Sequence, residues 1–524
     1  MTVAGRGTDV GRVRAAGAAV LAAGMLLAGC TGGGTPAPDG GPPTTLSEPT
    51  TTATSEQASD PAFARFYDQQ PAWEGCGEGL QCTDVTVPVS WDAPDGDVLE
   101  LAVVRRPAEG ERRGSLVMNP GGPGASGVDY VADFGARTTT RELRQAYDLV
   151  GFDPRGVGES DPVDCLGDAQ MDEFLSQEVD PSTPEGMAQA QRSAREFAAG
   201  CQRDAGALLG HVDTISAARD MDVLRAVLGE QRLDYLGKSY GTLLGATYAD
   251  LFPHRAGRMV LDGALDPSLS YAEVGLGQAA GMEQALTAYV TDCLTRRGCP
   301  LRGDVEDGLA QVRSVVDQTQ QRPLRTSDPD RPLTTALAFY GLVAPLYDQA
   351  SWAVLDEALQ QALAGDGSGL LRIADVYADR DADGSYGSNL LEAFNAVNCL
   401  DYPVDASPEA MAAEAQRLEE ASPTFGESLA YGEVLCSQWP VPAVREPAPL
   451  AAAGAPPILV VGTTGDPATP YPWAEALADQ LDSGRLLTWD GEGHTAYMRG
   501  SACVDAAVDG YLVDGVLPGD GATC

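Results

Sequence analysis

From Thr83 onward, Val85, Val87 and Val89 alternate with polar residues, the period-2 spacing of a strand that buries one face. Apolar runs follow at residues 99–104, 115–118 and 148–152. Residues 214–229 change period: Met221, Leu224 and Leu228 share a helical face, and Asp213 or Thr214 can cap its start. A strand at 233–236, a helix at 240–251 stopped by Pro253, and a strand at 259–261 come next. This alternation predicts an α/β fold, a mostly parallel sheet with helices on both faces. Between 267 and 449 the strand spacing gives way to Ala-, Leu- and Gln-rich helical spacing, as at 353–363 and 411–420, which predicts an inserted helical cap. The sheet resumes at 457–461, followed by a helix near 473–481, a strand at 485–489 and a helix around 504–513. The expected division is therefore a first part of the core at 61–266, a cap at 267–449 and a final part of the core at 450–524, with no internal repeat.

The first thirty residues read as a leader. Arg6, Arg12 and Arg14 precede an apolar stretch at 15–28 that is too short for a stable span, and Leu27-Ala28-Gly29-Cys30 resembles a bacterial lipobox. On that reading Cys30 carries lipid and is the chain's only link to a membrane. An ordinary secretory leader cleaved nearby is the alternative, and both send the chain out of the cytoplasm. Residues 31–60, rich in Thr, Pro, Gly and Ser, read as a disordered linker. Ten further cysteines remain, an even number that suits five disulfides in an oxidising compartment. Sequence cannot choose among the many pairings. The simplest set joins neighbours in order: Cys76 with Cys82, Cys165 with Cys201, Cys293 with Cys299, Cys399 with Cys436, and Cys503 with Cys524.

Composition narrows the function. The 524 residues are 44% hydrophobic and 21% charged, as in a globular protein. A net charge of −42 repels phosphate backbones, so nucleic acid is not an expected partner. His211, His254 and His494 are the only imidazoles, and there is no HExxH and no paired CxxC, so neither a metal centre nor any other cofactor is implied. Lys238 is the only lysine beside 33 arginines, a bias that reads as genome composition rather than mechanism. Nothing in the sequence fixes the oligomeric state.

The candidate chemistry centres on Gly237-Lys238-Ser239-Tyr240-Gly241, a GxSxG between a predicted strand and a predicted helix. That context is a nucleophile elbow, in which glycines two residues either side of the serine relieve a tight turn. A serine hydroxyl needs a base, and the base needs an orienting carboxylate, in the chain order Ser, Asp or Glu, His. Of the two histidines after Ser239, His254 sits just past the elbow helix as a surface residue, whereas His494 lies in a glycine-lined loop after a strand. His494 is therefore the expected base. Asp466 follows the apolar run 458–461 and is the favoured acid, with Asp262 and Asp266 after the earlier strand as runners-up. Asn119-Pro120-Gly121-Gly122-Pro123-Gly124 supplies a glycine-rich loop. Pro123 lacks an N–H, so the backbone N–H groups of Gly122 and Tyr240 are the expected oxyanion donors. Asp379, Asp381 and Asp383 open like a calcium loop, but Leu390 stands where a bidentate Glu is required, so a solvated turn is expected. Residues 152–162 are expected to shape the pocket floor.

Taken together, NPGGPG (119–124), FDPRGVGESDP (152–162), GKSYGT (237–242), MVLDGALDP (259–267), GTTGDPATP (462–470) and GEGHTAY (491–497) resemble the secreted tripeptidyl aminopeptidases of actinobacteria, α/β-hydrolase serine peptidases related to prolyl aminopeptidases and to mycobacterial cell-envelope proteases. The resemblance covers about residues 60–524. It implies the α/β-hydrolase fold, Ser239, Asp466 and His494 as triad, Gly122 and Tyr240 as oxyanion donors, a substrate-selecting cap, and peptide or protein substrates. The HGGPG of prolyl aminopeptidases reads Pro120-Gly-Gly-Pro-Gly here, as in the tripeptidyl branch. An exopeptidase should hold the free α-ammonium with buried carboxylates; Glu392 and Asp401 are candidates, and neither is assigned. A carboxylesterase or lipase using the same triad is the alternative, and a non-catalytic surface lipoprotein is a third reading.

Overall fold

The computed structural model describes residues 44–45, 60–519 and 521–524. The leader, Cys30 and most of the linker lie outside them. Its strands are β1 (Thr44–Thr45), β2 (Glu74–Gly77), β3 (Leu80–Pro88), β4 (Val98–Arg106), β5 (Gly114–Asn119), β6 (Tyr147–Phe152), β7 (Leu233–Lys238), β8 (Ala256–Asp262), β9 (Ile458–Gly465), β10 (Gly484–Glu492), β11 (Val516–Leu517) and β12 (Ala522–Thr523). Ten of them form one sheet in the order β12, β10, β9, β8, β7, β5, β6, β4, β3, β2. From β12 to β6 neighbours run parallel, while β4, β3 and β2 add antiparallel at one edge. Within the segment expected to be a disordered linker, Thr44–Thr45 pairs antiparallel with Val516–Leu517.

The central strands are apolar on both faces because helices cover both. Val117, Val150, Tyr235, Leu261, Ile458 and Val460 face one buried cluster. Their alternates Leu116, Met118, Leu149, Leu236, Val260, Leu459 and Val461 face the other. The helices Thr214–Val227, Tyr240–Leu251 and Tyr471–Gln480 pack on the first face, and Ala502–Asp509 packs on the second. Between β8 and β9 the described residues form helices and loops, chiefly Tyr271–Thr295, Val305–Gln321, Thr335–Val343, Trp352–Leu363, Ser368–Tyr377, Leu390–Asp401 and Pro408–Ala421. Their apolar faces are continuous with the first cluster through Leu286, Tyr289, Leu342 and Leu355, so this segment shares the sheet's core.

Among the described residues there are five disulfides, Cys76–Cys82, Cys165–Cys201, Cys293–Cys299, Cys399–Cys436 and Cys503–Cys524, each cysteine joined to its successor in sequence.

Candidate active site

Ser239 leaves β7 with φ +56° and begins the helix Tyr240–Leu251. A positive φ is strained for a serine and persists only where the surroundings over-determine it. The flanking glycines show how. A Cβ on Gly237 would come within 2.3 Å of Gly241 O, and one on Gly241 within 2.8 Å of Asn119 Oδ1, so strand, turn and helix close only without side chains there. Beneath them the Tyr235 hydroxyl donates to Gly241 O at 2.8 Å. Ser239 is half-buried at the helix N-terminus, where the peptide dipoles favour negative charge.

The glycine-rich loop after β5 lies against this turn. A Cβ on Gly121 (φ +101°) would sit 2.5 Å from Lys238 O and 2.8 Å from Ser239 Cβ. Asn119 Oδ1 accepts the Gly121 N–H at 3.0 Å. Among the described residues no protein group accepts the Gly122 N–H, and Gly122 is exposed beside the elbow.

His494 follows β10 and is buried at 7% exposure, with Nδ1 2.9 Å from Asp466 Oδ1 and 3.0 Å from Oδ2. Asp466, after β9, is held by further donors: Ala468 N and Thr469 N at 2.9 Å, Thr469 Oγ1 at 3.0 Å and Thr495 N at 3.3 Å. Its two runners-up are occupied elsewhere. Asp262 accepts from Ala496 N and Tyr497 N, while Asp266 accepts from Ser268 and from Gln480 Nε2. His254 is exposed. His211 is half-buried beside Arg155, and desolvation followed by that guanidinium lowers its pKa.

Among the hydrogen bonds of the described residues none joins Ser239 Oγ to His494. The loop carrying His494 is instead tied to the strand that ends at Ser239 through Asp262 and Lys238, and to the helical segment through Tyr347. Tyr347 O accepts the His494 N–H at 2.9 Å, and the tyrosine ring stands edge-on to the imidazole with centroids 5.2 Å apart. Asp348 next to it pairs with Arg499 at 2.7 Å. Sequence reasoning missed Lys238, Tyr347, Asp348 and Arg499 in this role and weighed Asp262 only as an alternative acid. Only Lys238 left a signal, as the chain's sole lysine. A cleft of about 320 Å³ opens beside this loop, lined in part by Tyr347, Asp348, Trp489, Glu492 and Arg499.

The two carboxylates considered for an α-ammonium serve the scaffold. Glu392 Oε1 accepts Cys165 N at 2.7 Å and Leu166 N at 2.9 Å, and burial pushes its pKa up to about 7. Asp401 accepts Thr214 N at 3.0 Å and the Thr214 hydroxyl, which also meets the Tyr240 hydroxyl at 2.6 Å. In the run 152–162, Asp153 takes Ser126 Oγ at 2.6 Å and Val128 N at 3.1 Å, fixing the turn that follows the glycine loop. Arg155, fully buried, forks onto Asp220 at 2.7 and 2.6 Å. Residues 379–387 close as a turn, with Asp381 N donating to Ser385 O at 2.8 Å.

Comparison with known proteins agrees with this architecture. The family described as "TAP-like protein" matches residues 422–524. The serine protease Hip1 of Mycobacterium tuberculosis is 40% identical over 459 residues, covering 85% of this chain and 87% of its own length. A protein named carboxylesterase B from the same organism is 40% identical over 533 residues, 98% of this chain and 99% of its own. The tripeptidyl aminopeptidase of Streptomyces coelicolor is 33% identical over 473 residues, 86% and 85% of the two chains. At such identity over nearly the whole described length, the chain belongs to the family of α/β-hydrolase serine hydrolases that includes Hip1 and the Streptomyces tripeptidyl aminopeptidases.

Proposed function

We propose that this protein is a serine exopeptidase acting on peptides with a free N-terminus. Ser239 Oγ attacks the scissile carbonyl as His494 takes its proton, and Asp466 holds the imidazole in the tautomer that leaves Nε2 free to accept. The N–H groups of Gly122 and Tyr240 receive the developing oxyanion. His494 returns the proton to the leaving amine, and the N-terminal fragment stays esterified to Ser239 until water, deprotonated by His494, releases it. The observation that carries this reading is the buried His494–Asp466 pair at 2.9 Å, borne by the loops after β10 and β9, in the same parallel sheet whose strand β7 ends at the strained Ser239 turn. We assign residues 267–449 to a cap that selects substrates. Five disulfides support an extracytoplasmic location, and Cys30 is assigned as the lipid attachment site.

Tripeptide anilides with free and with blocked N-termini, and a short acyl ester, test the reading on wild type and on Ser239→Ala. Turnover of the free peptide, little of the blocked one, and loss of at least about 10⁴-fold in Ser239→Ala are expected. Equal cleavage of free and blocked peptides refutes the aminopeptidase assignment. Hydrolysis of the ester alone establishes the second reading, a carboxylesterase, which the relative of that name favours. Cys30→Ala should move the protein from the membrane fraction to the medium; a wild type already wholly in the medium removes the anchor.

A further inference from the structure

We propose that Lys238 and Asp262 form a paired positioning device that locks the loop carrying His494 onto the strand carrying Ser239. The inference rests on the triad reading above and extends it to two residues that touch neither substrate nor the reacting atoms. Lys238 and Asp262 are partners across the parallel pairing of β7 and β8, both at the strand ends. Asp262 reaches both halves of the site. Its backbone carbonyl accepts the Ser239 N–H at 3.0 Å. Its carboxylate accepts Ala496 N at 2.8 Å on Oδ1 and Tyr497 N at 3.0 Å on Oδ2, two and three residues beyond the base. Lys238 closes the other side: Nζ donates to Tyr497 O at 2.8 Å and lies 3.9 Å from Asp262 Oδ2. One peptide segment, 496–497, thus gives two N–H groups to the acid and one carbonyl to the base partner.

Two features make this more than ordinary packing. The loop needs holding, because Thr495 (φ +64°) and Met498 (φ +62°) are both in left-handed backbone, which is costly for a β-branched threonine and persists only under external restraint. The charges are also out of water, Lys238 at 8% and Asp262 at 0% exposure, so neither is screened by solvent. Each charge therefore acts on the imidazole nearby, and in the intact pair the two largely cancel. The other charged or titratable groups around His494 are Asp466 on Nδ1, Tyr347 and Asp348 from the helical segment, Arg499 of the same loop paired with Asp348, Glu492 two residues earlier, and Tyr497. None of them changes in the variants below.

The cancellation gives a test that a merely structural role would not pass. The pH profile of kcat/KM is measured for Lys238→Met, Asp262→Asn and the double variant, with whichever chromogenic peptide or ester the wild type turns over. Lys238→Met leaves an uncompensated anion that favours imidazolium, so the acid limb moves to higher pH, by on the order of half a unit to one unit. Asp262→Asn leaves an uncompensated cation and moves it lower. The double variant returns towards wild type in pH dependence while kcat stays depressed, about 10- to 100-fold, with KM little changed. Lys238→Arg should keep the wild-type limb. Acid limbs unmoved in both single variants, or moved in one direction by both, overturn the proposal. Should Asp262→Asn fail to fold, Lys238→Met decides alone: an upward shift supports the pair and an unmoved limb refutes it. Ser239→Ala run alongside separates the two layers of the argument. Turnover by Ser239→Ala would overturn the triad and the pair together, whereas unmoved limbs with Ser239→Ala inactive would overturn the pair alone.

Discussion

Glu392→Gln should stabilise the protein, and only at neutral to alkaline pH. Glu392 is 6% exposed at the start of the helix Leu390–Asp401. Desolvation raises its pKa from 4.5 to about 7, aided by Asp164 and Asp204 and opposed by the N–H groups of Leu166 and Cys165. Between those two values the folded state binds the proton that the unfolded state has released, so stability falls as pH rises through the window. At pH 8 the whole shift is felt, on the order of 3 kcal/mol at 1.36 kcal/mol per unit. At pH 5 the same calculation leaves less than about 1 kcal/mol. Both amide bonds land on Oε1, so the glutamine carbonyl can keep them while removing the charge. Urea unfolding followed by tryptophan fluorescence at the two pH values reads the difference. The variant should gain about 2–3 kcal/mol over wild type at pH 8 and little at pH 5. A gain that is the same at both pH values, or a loss at pH 8, would show that the buried carboxyl is not what opposes folding there.

Asp466→Asn should cut kcat on the order of 10⁴-fold with little change in KM, since an amide can hold the imidazole in the wrong tautomer; steady-state kinetics at pH 7–8 measures it. Arg155→Leu strands Asp220 without a counter-charge at zero exposure and should cost about 3–5 kcal/mol in urea unfolding, whereas the double change Arg155→Leu with Asp220→Leu should cost less than the single one. Gly121→Ala places a methyl 2.5 Å from Lys238 O and should reduce kcat/KM by more than about 100-fold while circular dichroism stays native. Tyr347→Ala removes the edge-on ring against His494 but keeps the backbone bond, and should lower kcat about 5- to 10-fold, corresponding to an aromatic contact of about 1 kcal/mol.

Much of the candidate site was legible in the sequence because its pattern is local. Ser239 is marked by glycines two residues either side, and chain order with the glycine-lined loop points to His494 as the proposed base. The acid was harder to choose. Asp262, Asp266 and Asp466 all follow strands, and what separates them is the direction of each carboxylate, towards the amides of 496–497, towards Ser268 and Gln480, or towards the imidazole. The sheet's parallel centre was legible in its unbroken apolar runs. β2, β11 and β12 span four residues or fewer, too short for a period to register. Tyr347 was invisible because it meets the base from almost 150 positions away in the chain, and no local pattern encodes a contact of that range. Glu392 and Asp401 looked available for an ammonium only because a sequence does not display the backbone N–H groups that occupy them.

The disulfide pattern bears on how such a chain is made. Every bridge joins one cysteine to the next, so no two loops interlock, and the widest separation is 37 residues. With Cys30 set aside as the proposed lipid attachment site, and counting from Cys76, the partner of each odd-numbered thiol is the next one to emerge from a chain threaded out of the cytoplasm N-terminus first. A periplasmic-type oxidant that simply joins thiols as they appear would produce the native set without shuffling. Among the described residues no bridge connects the segment between β8 and β9 to the sheet, so oxidative closure of that segment's own loops need not wait for β9 and β10 to arrive and complete the core.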